Sequence, residues 1–111
     1  MTDRESVGLG ALEEQVLVAV VRAGDDAYGM EVRREIEDAT GRDLAIGAVY
    51  STLDRLEAKD LLRSRRVQTA DGSRRVFALT ADGAQALTDT RTMRDRLWSG
   101  VDLRRIRAAV R

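Results

Sequence analysis

The stretch IGAVYSTLDRLEAKDLL, from Ile46 to Leu62, encodes a helix with two different faces. Three apolar residues recur at the i, i+4 and i+7 spacing of a buried helix stripe: Val49, Leu53 and Leu56. The leading turn instead holds Gly47 and Ala48, which leave little side chain on the opposite face. The pattern predicts a helix that is buried on one side and open to close approach on the other.

Two more amphipathic helices are predicted upstream. The first runs from Ala11 to Ala23 and ends at Gly24, a residue common just past a helix. Its valine content also suits a buried strand, but its length and its acidic first turn favour a helix. The second runs from Tyr28 to Thr40 and ends at Gly41. Two short helices, a tight glycine-containing connection and a third helix with a small-residue face indicate a helix-turn-helix arrangement.

The third helix has the properties of one that enters the major groove of DNA. Gly47 and Ala48 permit close approach, and the helix N-terminus favours anions. Four polar side chains of the next turns supply hydrogen bonds to phosphates and base edges: Tyr50, Ser51, Thr52 and Arg55. Small residues at a helix start also serve packing, so this helix alone leaves both interpretations open.

An arginine-rich hairpin is predicted directly after this helix. Two extended runs flank Asp71-Gly72 in RSRRVQTADGSRRVFAL, from Arg63 to Leu79. Its arms carry five arginines beside one acid: Arg63, Arg65, Arg66, Arg74 and Arg75. A basic hairpin in this position is the wing of a winged helix, whose natural target is the phosphate backbone or the minor groove. We therefore expect Arg65, Arg66, Arg74 and Arg75 to contact DNA.

Charge and residue usage exclude several other functions. The formal net charge is zero, but residues 1–60 carry fourteen acids against seven bases, and residues 61–111 carry five acids against twelve bases. The basic half is the place to expect an anionic partner. Cysteine and histidine are both absent, and no nucleophile-base set or phosphate-binding glycine loop appears. We predict no enzyme activity, cofactor or metal site.

No membrane segment is predicted. The longest apolar run, from Val16 to Val21, is far below the roughly 18 residues of a membrane span. No charged region precedes an apolar core of the kind that a signal peptide has. The sequence therefore predicts a cytoplasmic protein.

The segments from Leu9 to Leu87 together resemble PadR-type transcriptional regulators. They include AYGMEVRREIE from Ala27 and RRVFALTADGAQAL from Arg74. Three groups of residues are the most specific when they occur together: Tyr28-Gly29; Gly47 with Tyr50 and Leu53; and Leu79-Thr80 with Gly83. The resemblance implies a dimeric winged-helix DNA-binding protein, usually a repressor, whose last helix makes the dimer. It implies a phosphate contact for Tyr50, and it places Tyr28 among the DNA-binding residues.

Three features depart from the family pattern. Ala45 stands where a serine cap is frequent, which costs the third helix about 1 kcal/mol unless another group caps it. Phe77 replaces a frequent tyrosine and keeps its packing role. The chain stops soon after its last helix, so no large effector domain is expected.

The C-terminal part predicts a helix that needs a partner. Thr80 is a good N-cap, and the helix should run to about Trp98, where Ser99-Gly100 interrupts it. A second short helix is expected from Val101 to Val110. The predicted dimer interface consists of Leu87, Met93, Leu97, Trp98 and Val101. Trp98 is interpreted as an interface anchor, and the weaker alternative is a stacking platform for a planar aromatic ligand.

The sequence thus predicts a mostly α fold with a small β-hairpin, in which a winged helix-turn-helix is followed by C-terminal dimerisation helices. Residues 1–79 form the DNA-binding domain with an N-terminal arm, and residues 80–111 form the dimerisation part. The predicted function is sequence-specific transcription regulation by a homodimer on an inverted-repeat operator, with repression released by a small molecule or other signal. The alternative is a winged-helix protein-interaction module that binds no DNA.

Overall fold

A computed structural model describes residues 8–111 of the chain. The elements, in chain order, are α1 (Ala11–Ala23), β1 (Ala27–Tyr28), α2 (Gly29–Thr40), α3 (Ile46–Ala58), β2 (Leu62–Thr69), β3 (Gly72–Leu79), α4 (Ala81–Trp98) and α5 (Leu103–Ala108). The predicted fold class is confirmed, because three helices and a hairpin precede a C-terminal helical part. The predicted N-terminal arm lies mostly in residues 1–7, outside the described residues.

The core lies where α1, α2 and α3 meet the sheet. The apolar stripe of α3 is buried as predicted, with Val49, Leu53 and Leu56 fully inaccessible to solvent. Phe77 of β3 and Leu17 of α1 are the largest fully buried side chains around it. Phe77 therefore fills the packing role that the sequence assigns to it, and burial of these side chains fixes α3 against the hairpin.

The predicted hairpin is confirmed, and a third strand joins it. β2 and β3 pair antiparallel from Leu62 with Leu79 to Thr69 with Gly72, whose φ of +123° suits a glycine. β1 pairs with β3 through Ala27 and Phe77, so the sheet order is β1-β3-β2. Tyr28, predicted as the first residue of a helix, lies in this strand instead. A two-residue strand is too short to show a period of its own.

The first turn of α4 is fixed to the end of α3. The Thr80 hydroxyl accepts a hydrogen bond from the Gly83 N–H at 2.9 Å, which confirms the predicted N-cap, and it donates to the Asp60 carbonyl at 2.7 Å. A Cβ on Gly83 would overlap the carbonyl oxygen of Leu61 and lie 2.8 Å from Cδ1 of Leu79. Only glycine allows this close approach of α4 to the preceding backbone.

The far half of α4 leaves the core. Thr90 is its last buried residue, and the Thr90 hydroxyl accepts a hydrogen bond from the Leu9 N–H at 3.3 Å. Every residue from 91 to 100 is exposed, as are all residues of α5. The predicted break at Ser99-Gly100 is confirmed, and the second helix is shorter than predicted. Within residues 8–111, the helices are all too short or too polar to cross a membrane.

Leu87 differs from the other residues of the predicted interface. It is partly buried and packs against the core of its own chain, and its place in a dimer interface stays a prediction. The other predicted interface side chains are accessible: Met93, Leu97 and Trp98 are exposed, and Val101 is half-buried.

Candidate nucleic-acid interface

The helix α3 presents an open face made of Gly47, Ser51 and Arg55. These residues recur every four positions and are all exposed, and Ala48 beside them is half-buried. Apart from its chain neighbours and the nearby backbone of its own helix, no heavy atom of residues 8–111 lies within 4 Å of where a Cβ on Gly47 would stand. Packing within the described chain therefore does not require a glycine there. The open face leaves room for another molecule to approach the backbone of the first turn.

Thr52 does not belong to this open face, which corrects its predicted role. Its side chain is 1% exposed, and its hydroxyl donates a hydrogen bond to the Ala48 carbonyl at 2.8 Å. Thr52 lies three residues after Val49 and four before Leu56, so it points with the buried stripe. It cannot supply a hydrogen bond to a base edge.

The start of α3 is anchored through the preceding loop. Ala45 occupies the N-cap position and provides no side-chain hydrogen bond, as its residue type predicts. The carboxylate of Glu37 instead accepts a hydrogen bond from the Leu44 N–H at 2.8 Å, and Leu44 is buried. This backbone hydrogen bond, with help from Arg33, holds the pKa of the Glu37 carboxyl below its usual range. The N–H groups of the first α3 turn thus remain without a side-chain cap.

Tyr50 lies beside the open face and packs on α2. Its side chain is 38% exposed, and its ring covers the backbone of Gly29, the first residue of α2. The neighbouring residue Tyr28 stacks under Arg74 of β3, whose guanidinium carbon lies 4.0 Å from the ring centroid. One short segment therefore contacts both α3 and the hairpin.

The hairpin, residues Leu62–Leu79, is called the wing from here on. Its register divides the predicted arginines between the two faces of the sheet, because Arg66 pairs with Arg75 whereas Arg65 pairs with Val76. Arg66 is exposed, and within residues 8–111 its side chain makes one long hydrogen bond, 3.4 Å, to the Ser73 hydroxyl. Arg65 is exposed and forms an ion pair with Asp26 on the loop before β1.

Arg75 is engaged within the chain, and its predicted phosphate contact stays a prediction. Its guanidinium donates to Oδ1 of Asp54 at 2.7 Å and also to Glu57, both on α3. The same side chain donates to the Ser64 hydroxyl at 3.3 Å. The hydrogen bond with Asp54, and then that with Glu57, raises the pKa of Arg75 despite its partial burial.

Glu57 completes this connection between α3 and the wing. The Ser64 hydroxyl donates to its Oε2 at 2.6 Å and the Ser64 N–H at 3.2 Å. The Ser64 hydroxyl and Arg75 hold the pKa of the Glu57 carboxyl below its usual range, against the opposite effect of burial. Sequence reasoning missed Asp54 and Glu57, although acids three residues apart on a helix next to a basic hairpin give a signal for such pairing.

The exposed side of the site carries Arg55 on α3 and Arg65 and Arg66 on the wing. The described residues contain no group of three or more side chains able to hold a metal ion. The sequence profile of the "Transcriptional regulator PadR-like family" matches residues 16–89, which include both α3 and the wing. The chain belongs to the PadR-like family.

The chain is also similar to two curated proteins. The chain is 29% identical over 101 residues to the transcriptional regulator YqjI of Escherichia coli K12, an alignment that covers 89% of this chain and 47% of YqjI. It is 35% identical over 75 residues to a 37.1 kDa protein of transposon TN4556 from Streptomyces fradiae, covering 68% of this chain and 21% of that protein. The chain thus spans half or less of the length of these relatives.

Solved structures share the fold. A PadR family transcription regulator from Clostridium difficile R20291 has a TM-score of 0.67 and 25% identity, covering 83% of this chain and 94% of that chain. F93 from STIV, described as a winged-helix DNA-binding protein, has a TM-score of 0.63 and 23% identity, covering 76% and 87%. The fold of this PadR-like chain is therefore a winged helix with added C-terminal helices.

Proposed function

We propose that this PadR-like protein is a sequence-specific DNA-binding transcription regulator. In this proposal α3 enters the major groove, and Ser51 and Arg55 contact base edges. The observation that carries the proposal is the open face of α3, where a Cβ on Gly47 would meet no atom of the described residues beyond its chain neighbours and the nearby backbone of its own helix. A glycine that costs helix stability and serves no packing within the described chain fits a helix that meets another surface closely.

The wing supplies the proposed backbone contacts. Arg66 shares a sheet face with Arg75, which is bonded to α3, so Arg66 lies on the α3 side of the wing. Arg65 and Arg74 lie on the opposite face, where each already has a partner, Asp26 and the Tyr28 ring. Arg66 is therefore proposed as the main phosphate contact, with Arg65 and Arg74 contributing after rearrangement or at longer range.

The alternative, a protein-interaction module, is less well supported. A surface for protein partners would present an apolar patch around α3. The exposed large apolar side chains of the described chain lie mainly on α1 and on the C-terminal helices, whereas α3 contributes Tyr50 to this group. The chemistry of the α3 surface therefore favours DNA.

We further propose that the protein acts as a homodimer. Leu97 is 77% exposed and Trp98 is 54% exposed, and both lie beyond the point where α4 leaves the core. Burying Met93, Leu97, Trp98 and Val101 against a second copy would remove this apolar surface from water. Trp98 is proposed as an anchor of that interface. A role as a stacking platform for a small-molecule effector is the second proposal for it.

A twofold dimer requires a symmetric DNA site. Its two α3 helices would enter successive major grooves, so the operator should be an inverted repeat with half-site centres about 10 base pairs apart or a simple multiple of that. Occupation of such a site in a promoter would repress transcription in the cytoplasm, and an effector that changes the dimer geometry would release it. No catalytic role is proposed.

Selection of bound duplexes from genomic fragments, followed by footprinting, tests these proposals together. Enrichment of an inverted repeat protected on both half-sites is expected. Recovery of no enriched sequence would favour the protein-interaction module. Protection of a single half-site by a monomer would contradict the dimer proposal while leaving DNA binding in place.

A further inference from the structure

The Tyr50 ring lies where a side chain at position 29 would stand. A Cβ on Gly29 would lie 2.5 Å from the Tyr50 hydroxyl oxygen and 2.7 Å from its Cε1, and it would overlap Cζ. Such distances are shorter than any van der Waals contact. Gly29 is buried, although Tyr50 is 38% exposed. The exposed tyrosine ring thus takes the place of a side chain at position 29.

The backbone at Gly29 has little freedom to move away from the ring. The nearby residue Ala27 is fully buried and pairs with Phe77 in the sheet. The helix that starts at Gly29 buries Val32 and Ile36 in the core. A methyl group added at Gly29 would therefore displace the Tyr50 ring, because the ring is the more exposed of the two groups.

The Tyr50 ring lies against Gly29, but its hydroxyl has no partner within residues 8–111. It makes no hydrogen bond to any residue of the described chain, which leaves it available to a ligand. Tyr50 is one residue before Ser51 of the open α3 face, so this hydroxyl stands at the edge of the proposed DNA surface. A tyrosine fixed by packing loses less rotamer freedom on binding than a free one.

We infer that Gly29 is a positioning residue for DNA binding: the absence of a side chain there seats the Tyr50 ring on α2 and sets where its hydroxyl meets the DNA backbone. This inference rests on the proposed DNA-binding function. Gly29 is buried and has no side chain to contact DNA. Its effect on DNA affinity therefore acts through Tyr50.

Substitution at both positions separates positioning from folding. Gly29→Ala should weaken binding at least about tenfold per half-site of the selected operator, as expected for losing one charge-assisted hydrogen bond per protomer. Tyr50→Phe keeps the ring and the clash but lacks the hydroxyl. In the Tyr50→Phe background, Gly29→Ala should therefore weaken binding less than about twofold. Met30→Ala, the adjacent exposed residue of α2, is the control and should bind normally.

A second measurement covers the case in which Gly29→Ala destabilises the fold. Tyr50→Ala removes the ring and with it the clash, so Gly29→Ala in that background should match Tyr50→Ala alone in both melting temperature and operator affinity. Equal losses of affinity from Gly29→Ala in the unsubstituted protein, in Tyr50→Phe and in Tyr50→Ala would overturn the inference. Failure of the unsubstituted protein to bind any duplex would instead overturn the proposed function, and the inference with it.

Discussion

The guanidinium of Arg75 on β3 donates a hydrogen bond to Oδ1 of Asp54 on α3 at 2.7 Å. The same guanidinium pairs with Glu57 one helical turn later, so the wing is tied to α3 at two points. Asp54 is 59% exposed and lies beside Arg55 of the open face. One arginine thus compensates two negative charges on the helix that is proposed to meet a polyanion, and it also sets the angle between helix and wing.

Replacing this arginine should weaken DNA binding through the loss of its pairs with α3. Arg75→Gln leaves Asp54 and Glu57 uncompensated near phosphates, so affinity should fall on both operator and random duplex, as measured by fluorescence anisotropy. The free energy of unfolding should fall by about 1 kcal/mol, because the pairs are only partly buried. Arg66→Gln is the matched control, because it removes a proposed phosphate contact that is not bonded to α3. The Arg66→Gln protein should bind DNA more weakly, with a salt slope shallower by about one unit per protomer, and its free energy of unfolding should be unchanged. An Arg75→Gln protein with an unchanged free energy of unfolding would contradict a stabilising role for the pairs of Arg75 with Asp54 and Glu57.

The acid side of the same connection predicts a pH dependence. The pKa of Glu57 lies below its usual range in the folded protein, first because Ser64 donates to it and then because of Arg75. A depressed folded pKa adds stability above the unfolded value of about 4.3, and this stability is lost as the pH falls through the folded pKa. Denaturant unfolding between pH 6 and pH 3 should therefore show a smaller loss of stability for Glu57→Gln than for the unsubstituted protein. Parallel curves for the two proteins would contradict this.

Two glycines should respond in opposite ways to the same substitution. Gly47→Ala should raise the free energy of unfolding by a few tenths to about 1 kcal/mol, because its Cβ meets no atom within 4 Å, and it should weaken operator binding. Gly83→Ala should lower the free energy of unfolding by about 1–3 kcal/mol, because the Cβ of the new alanine would overlap the Leu61 carbonyl oxygen. Thermal melts and anisotropy on the same samples check both. Unchanged operator affinity for Gly47→Ala would remove the main support for close approach of α3.

Periodicity and capping residues were enough to predict most of the elements. The bounds of α1, the start of α3 at Ile46 and the Thr80 cap are as predicted, because each depends on residues close in sequence. Residue type alone wrongly predicts a DNA contact for Thr52, because its spacing from Val49 places it on the buried stripe.

The tertiary contacts of the site could not be predicted in the same way. Arg75 meets acids of α3 that are 21 and 18 residues away, and Tyr50 covers a glycine that is 21 residues before it. No local pattern reports such pairs, because they depend on how the sheet packs on the helices. The charge pattern therefore located the basic wing, but it did not separate the arginine bonded to α3 from those available to DNA.

Base preference should depend on Ser51 and Arg55 and not on Thr52. Ser51→Ala and Arg55→Ala remove exposed groups of the open face, so each should change which sequences are enriched in a repeated selection. Thr52→Ala removes a buried hydroxyl that bonds the Ala48 carbonyl, so it should lower stability and keep the same preferred sequence. A new preferred sequence for Thr52→Ala would contradict its assignment to the core.

The exposed end of α4 allows a matched test of the proposed dimer. Leu97 is 77% exposed, so Leu97→Asp should leave the protomer folded and place an unpaired charge in the interface. Light scattering should then report a monomer, and operator binding should weaken by at least about a hundredfold, because two linked half-sites supply the affinity. Leu87→Asp, ten residues earlier on the same helix, should instead destabilise the protomer, since Leu87 packs against its own core. A Leu97→Asp protein that remains a dimer would move the interface to the exposed valines of α1, Val18 and Val21.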